Sequence, residues 1–274
     1  MRSVLYVVKF DGRKERFSRN KIINTCVRAG ASREVAEKIA KHIESMAYNG
    51  ISTREIYREI LREMDKYEKV ASSAYRLREA MAMLPPKAFE LFVRRLFEKM
   101  GYECESSVII QGASVEHEVD VVARKQGEMI LIECKHHTNP HRFCGLSVTL
   151  QVQARLEDIL DGFAQGKNRY RFTRAMLVTN TKFSEHAIRY AAAKRIELIG
   201  WKTPKNRGLE VMIRENKIYP VTILRTKKSL LRKLLERNVA TTEEVTEKIL
   251  RKMGASELSV KNVLQQIEKL RGMK

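Results

Sequence analysis

The sequence predicts an α/β protein, built on one mixed β-sheet with helices on both faces, preceded by a mainly helical segment and followed by a small helical tail. Three observations predict it. Between residues 86 and 204, apolar periodicities follow one another in the order α-β-β-β-α-β-α-β, which calls for a single sheet covered by its own helices. Residues 3–85 read as one short hairpin followed by helices. Beyond residue 224 apolar side chains recur at helical spacing.

The elements follow in order. Val4 to Phe10 is apolar and β-prone, Asp11-Gly12 signals a hairpin turn, and Arg13 to Phe17 pairs back. Ser18 caps a helix through Val27 that Gly30 stops. Ser32 caps a second, with Val35, Ile39 and Ile43 on one face, and Gly50 closes it. Thr53 opens a third, with Ile56, Ile60 and Leu61 inward, and a fourth runs from Lys69 to Met83. Pro85-Pro86 breaks the pattern and marks the first domain boundary.

Phe89, Phe92, Val93, Leu96, Phe97 and Met100 recur at helical spacing, and Gly101 ends that helix. Tyr102 to Ile110, Val119 to Ala123 and Glu128 to Cys134 are extended, with a turn at Gly127. A polar loop, His136 to Gly145, leads into a helix from Leu146 to Phe163. Ala175 to Asn180 is a buried strand, Ser184 caps a helix to Lys194, and Ile196 to Ile199 is the last strand. An irregular, hairpin-compatible stretch spans Leu209 to Leu224. Three amphipathic helices (Lys228 to Arg237, Glu243 to Met253, Leu258 to Leu270) then fit a tri-helical or winged-helix module. Three domains are expected: 3–85, 86–204 and 205–274.

Composition narrows the partners. The 274 residues are 43% hydrophobic, enough for a core, with no apolar run long enough to span a bilayer. A cytoplasmic protein without a membrane partner is expected. Lys and Arg number 53 against 33 Asp and Glu, a net charge of 53 − 33 = +20. Such an excess favours a polyanion, because neutralised phosphates release counterions; a generally basic protein is the plainer alternative. The cysteines Cys26, Cys104, Cys134 and Cys144 are spaced too irregularly for a disulfide framework.

The middle segment carries the chemistry. Glu133 and Lys135, two apart on a strand, share one face and Cys134 takes the other. The Gly127 turn brings Asp120 beside Glu133. Two carboxylates and an ammonium on one face of otherwise apolar strands are costly to bury without a purpose. A divalent cation, Mg²⁺ or Mn²⁺, supplies one, with Asp120 and Glu133 as oxygen ligands and the Cys134 carbonyl as a third. Lys135 then orients or deprotonates an attacking water. A salt-bridge cluster at a strand end is the alternative. Cys134, His137, His141 and Cys144, with two, three and two residues between them, also match zinc-ligand spacing.

Asp120 followed by Glu133-Cys134-Lys135 resembles the signature of the PD-(D/E)xK nucleases, and the flanking sequence is similar to their Mrr-like branch and to archaeal Holliday junction resolvases. The likeness rests on Ala88-Phe89-Glu90, Leu96-Phe97, Gly101-Tyr102, Ile132 to Lys135, Met176 to Ser184 and Glu197-Leu198-Ile199, and covers residues 86 to 200. It implies a restriction-endonuclease-like sheet and a metal-dependent DNA endonuclease. It also implies Glu90 as a further member of the metal shell, and a polar residue of the next helix, among Gln151, Gln153 and Arg155, near the site or the DNA backbone. Val115-Glu116-His117-Glu118 stands where the family carries Gly-Asp-Gly-Gly. A catalytically inactive, nucleotide-responsive DNA-binding protein is the competing reading.

The first segment resembles the ATP-cone, through Val7 to Arg13, Glu15, Lys21-Ile22, Gly50 to Ile56 and Ala71 to Arg78. That resemblance implies ATP or dATP as a regulatory ligand. Lys9 and Lys21 would contact phosphate, Val7 and Glu15 the base or ribose, and Thr53 would add a polar contact. A degenerate cone kept for packing or dimerisation is the alternative, and a homodimer is compatible with either.

Overall fold

A computed structural model describes residues 5–9, 12–67, 72, 75–140 and 142–272. Expectations at Val4, Phe10, Asp11, Lys69, Ala71 and His141 lie outside the described residues. The chain forms two compact units, residues 1–77 with 264–274, and residues 78–263. The tail expected over 205–274 is thereby shared between them.

In the smaller unit, β1 (Tyr6–Val8) pairs antiparallel with β2 (Lys14–Arg16) and parallel with β3 (Ile51–Ser52), so β1 is central. The helices are α1 (Arg19–Arg28), α2 (Arg33–Met46) and α3 (Thr53–Tyr67). Ser18 and Ser32 cap α1 and α2 by accepting from the backbone N–H groups of Lys21 and Val35. Ile22, Cys26, Ile39, Ala40, Ile43, Ile60 and Met64 meet in one core. Each large aliphatic side chain buried there contributes about 1.5–3 kcal/mol.

The larger unit begins at Arg78, within α4 (Leu77–Met83), and continues with α5 (Pro86–Lys99). Pro86 starts α5 rather than merely breaking the chain: at the first helical position its missing N–H has no partner to lose. Next come β4 (Glu103–Gln111), β5 (Glu116–Lys125), β6 (Glu128–Lys135), β7 (Phe143–Cys144), α6 (Leu146–Ala164), β8 (Arg174–Thr179), β9 (Lys182–Phe183), α7 (Glu185–Lys194) and β10 (Glu197–Ile199). The five-stranded sheet runs β10-β8-β6-β5-β4. Its β4, β5 and β6 are antiparallel, while β6, β8 and β10 are parallel, which makes it the mixed sheet expected. Leu131 and Val122 join the core formed with Val152 and Ile159 of α6 and Ala187 of α7. Their equally buried neighbours Ile130, Ile132, Val121 and Ala123 project to the opposite face, the side on which α5 packs. Two-residue strands β7 and β9, unforeseen in the sequence, pair with each other.

The tail departs from expectation. Leu209 to Leu224 is no hairpin: α8 (Leu209–Glu215) buries Leu209, Met212 and Ile213 at helical spacing, and a 3-10 turn follows at Val221–Ile223. Then come α9 (Lys228–Glu236), a 3-10 turn at Thr242–Glu244, α10 (Glu247–Lys252) and α11 (Glu257–Arg271). The single helix expected from Glu243 to Met253 divides because Thr246 caps a new start. Among the described tail residues the one β pairing is an isolated bridge, Pro220 to Thr241, so no wing is formed.

Candidate active site

The distance in sequence from Asp120 to Glu133 is a strand register. Gln126 and Gly127, with φ of 50° and 82°, form the two-residue turn between β5 and β6. Five rungs, from Lys125↔Glu128 to Val121↔Ile132, follow it, and the next position sets Asp120 opposite Glu133. There the Asp120 carboxylate takes over from the ladder, accepting the backbone N–H of Cys134 at 2.7 Å. On its other side the ladder to β4 is interrupted at Ser107, whose φ is 54°.

Three carboxylates gather at this strand end. Glu133 is ion-paired with Arg155 of α6. Glu90 of α5 is 2.8 Å from the Lys87 ammonium, which lies 3.6 Å from Glu118. Burial, and then the repulsion of Asp120, pushes Glu133 up to about 7, against the pull of Arg155 and Lys135. Asp120 is also raised by burial, opposed by its bond from Cys134 and by Arg155. Glu90 is raised by burial and by Asp120, opposed by Lys87. Burial is thus the first cause for all three carboxyls, and the nearby Lys87, Arg155 and Lys135 do not cancel it.

A pH dependence follows. A carboxyl whose folded pKa is raised binds its proton more tightly in the folded state, so stability is lost as pH rises from the unfolded value through the folded one. For Glu133 that window runs from 4.5 to about 7, and the loss approaches about 3 kcal/mol. In EDTA, the wild type is expected to lose stability between pH 5 and pH 8, and Glu133→Gln to lose less. Thermal melts at both pH values decide it; parallel profiles for the two proteins would contradict the assignment.

Two further anchors hold the strand ends. On α6, one turn beyond Arg155, Asp158 accepts the backbone N–H groups of Ser114 and Val115 at 2.9 and 3.3 Å, and meets His117 Nε2 at 2.8 Å. Hydrogen bonds from Ser114 and His117 hold Asp158 down to about 2. At the end of β6, Asn180 accepts from His137 N and donates to His137 O, at 2.9 and 2.8 Å. Thr179 Oγ1 donates to the Lys135 carbonyl at 2.6 Å.

Asp120, Glu133 and Glu90 are therefore brought together, and Lys135, exposed at the strand end, acts on Glu133 through its charge. Gln151 is exposed, and the residue of α6 that reaches Glu133 is Arg155, one turn further on. Cys134 contributes its backbone N–H to Asp120, while burial drives its thiol well above the usual range. Among the described residues Cys134, His137 and Cys144 form no ligand cluster, since Cys144 is buried in the α6 core, and His141 lies outside the described residues. Lys87 and Asn180 were not singled out by sequence. Lys87 could have been, since it stands three before Glu90 on a helix.

In the smaller unit, Lys9 and Lys21 both form ion pairs with Glu15. Val7, buried, pairs with Glu15 on one side and Ile51 on the other. The parallel register ends at Val8↔Ser52, and Thr53, the next residue, opens α3. Of the five positions expected for nucleotide contact, Glu15 thus joins three: it is ion-paired with Lys9 and Lys21 and lies opposite Val7 in the sheet. No helix among the described residues is long and apolar enough to cross a membrane.

Comparison with known proteins agrees with this division. Residues 81–203 match the Mrr-type restriction endonuclease family, and residues 5–80 match the ATP cone domain. An uncharacterized protein of Archaeoglobus fulgidus is 37% identical over 181 residues, which cover 65% of this chain and 99% of the relative. A crystal structure of a protein of unknown function, AF1548, is 35% identical, with a TM-score of 0.57 over 69% of this chain and 100% of its own. The transcriptional repressor NrdR of Caldicellulosiruptor bescii is 34% identical over 84 residues, covering 26% of this chain and 55% of the repressor.

Proposed function

The chain joins an ATP cone domain, residues 5–80, to a Mrr-type restriction endonuclease domain, residues 81–203, and from that premise we propose that it is a metal-dependent DNA endonuclease regulated by ATP or dATP. One observation carries the reading: the register that sets Asp120 against Glu133, with Lys135 next on the same strand, at a strand end where burial holds the carboxyls up against the nearby cations. Carboxylate oxygens that repel one another in a half-buried site suit a hard divalent cation such as Mg²⁺ or Mn²⁺. Asp120 and Glu133 would hold it, with the Cys134 carbonyl and Glu90 as further oxygens. When bound, the cation polarises the phosphoryl group and makes water a better nucleophile.

The chain's own residues do the rest. Lys135 orients the attacking water and takes up or returns its proton. Arg155, released from Glu133 as the carboxylate finds another partner, can face the phosphate, since a guanidinium fork matches phosphate oxygens. The Asp158 and Asn180 anchors keep both strand ends in place while charge builds up in the transition state. The net charge of +20 supports a polyanionic substrate. In the cone, Lys9 and Lys21 exchange Glu15 for triphosphate oxygens, Val7 and Glu15 face the base or ribose, and Thr53 adds a polar contact. Regulation then requires that nucleotide bind the active and inactive states with different affinity.

Purified protein is to be incubated with supercoiled plasmid and with branched DNA, in Mg²⁺, Mn²⁺ or EDTA, with and without ATP or dATP. Cuts that require the metal and change in rate with nucleotide are expected. DNA binding without cutting in any condition would favour the inactive, nucleotide-responsive binding protein. Cutting that ignores saturating nucleotide, with DNA affinity also unchanged, would end the regulatory part alone.

A further inference from the structure

A second cluster of metal-type donors lies in the smaller unit, among residues with no part in the nucleotide reading. Glu59 and Glu63 stand one turn apart on α3 and are 9% and 5% exposed, flanked by the core residues Ile60 and Met64. Carboxylates are seldom buried so far unless paired or bound to metal. Facing them from α2 is His42, whose Nε2 is 2.8 Å from Glu59 Oε1 and 3.8 Å from Glu63 Oε1. The three donor atoms all lie within 4.8 Å of one another. Ligands about 2.0–2.1 Å from a tetrahedral zinc-class ion stand about 3.3 Å apart. The trio therefore accepts such an ion by side-chain shifts of about 1 Å or less.

Two cations now offset these carboxylates, Arg62 at 2.5 Å from Glu59 and Lys66 at 2.6 Å from Glu63. Both side chains are mostly exposed, at 67% and 57%, so either can withdraw into solvent at little cost. His42 is 41% exposed, which leaves an open side for a water as fourth ligand. We propose that His42, Glu59 and Glu63 form a binding site for one divalent transition-metal ion of the zinc class, tying α2 to α3. The imidazole distinguishes it from the carboxylate site of the larger unit, because nitrogen donors favour zinc-class ions and all-oxygen sets favour Mg²⁺. The proposal stands apart from the nuclease reading.

The test uses the full chain, stripped with chelator and titrated with Co²⁺ alone, read by visible absorption. Four-coordinate Co²⁺ absorbs far more strongly than the six-coordinate ion held by oxygens, so the two sites report separately. One equivalent giving intense bands is expected, displaced by Zn²⁺ and weakened more than about tenfold in His42→Ala and Glu63→Gln. Arg62→Gln, which removes a competing cation without touching a ligand, is expected to tighten binding and guards against variants that misfold. Bands absent from the wild type, or unchanged in both His42→Ala and Arg62→Gln, would overturn the site and leave an ion-pair network.

Discussion

Glu133→Gln is expected to lower metal-dependent cleavage by on the order of a thousandfold or more, with DNA still bound. Loss of a ligand to the cation that would stabilise transition-state charge costs several kcal/mol, and each 1.36 kcal/mol is about tenfold in rate. Gln keeps the shape and the polar contact to Arg155, so the sheet has no reason to move. It lacks the negative charge that holds a divalent cation. Affinity for DNA should hold or rise, because one repulsive carboxylate has gone and Arg155 is freed from its ion pair. Plasmid cleavage and fluorescence-anisotropy binding, run on the same preparations, separate the two effects. Cleavage within tenfold of the wild type would remove Glu133 from the proposed mechanism. Equal loss of cleavage and binding would point to a damaged fold instead.

Gly162→Ala is expected to destabilise the larger unit by about 3 kcal/mol, although alanine is the better helix former by about 1 kcal/mol. Gly162 lies on α6 where the helix meets the β4–β5 turn. A Cβ there would stand 2.6 Å from the carbonyl carbon of Gly112, 2.8 Å from Ala113 N and 2.9 Å from Gln111 O. All three are backbone atoms of a turn tied to the same helix by the Asp158 bonds and by Ala113 N to Asp158 O at 2.8 Å, so neither side can yield alone. The site is affected with the fold. Arg155 and Asp158 share α6, and the turn lies just before the strand that carries Asp120. Calorimetry should show the larger unit melting roughly 5–10 °C lower, with cleavage reduced below that melting point. A variant as stable as the wild type would mean that the turn and α6 are free to separate.

Much of this protein was determined by its sequence alone, wherever a property depends on neighbours along the chain. Ser18, Ser32 and Ser184 cap their helices as read, since a cap is a contact with a backbone N–H three residues on. The apolar runs through β5 and β6 revealed the strands, and the twelve residues between Asp120 and Glu133 already contained five rungs and a turn. The order of elements implied a mixed sheet because helical crossovers and tight turns leave few ways to pair strands. The match to the ATP cone and to the restriction endonuclease family could be read from the same motifs.

Tertiary structure decided what rests on distance across the fold. No local signal says that Arg155 rather than Gln151 meets Glu133, because both lie on one helix face and only the docking of α6 chooses between them. Leu209 to Leu224 became a helix and a turn because burial of Leu209, Met212 and Ile213 outweighed a weak local preference. Asn180 as the clamp on His137, and His42 facing Glu59 and Glu63, join residues 43, 17 and 21 positions apart. Such meetings depend on how whole elements pack, and packing depends on the summed fit of many side chains that no short stretch of sequence contains.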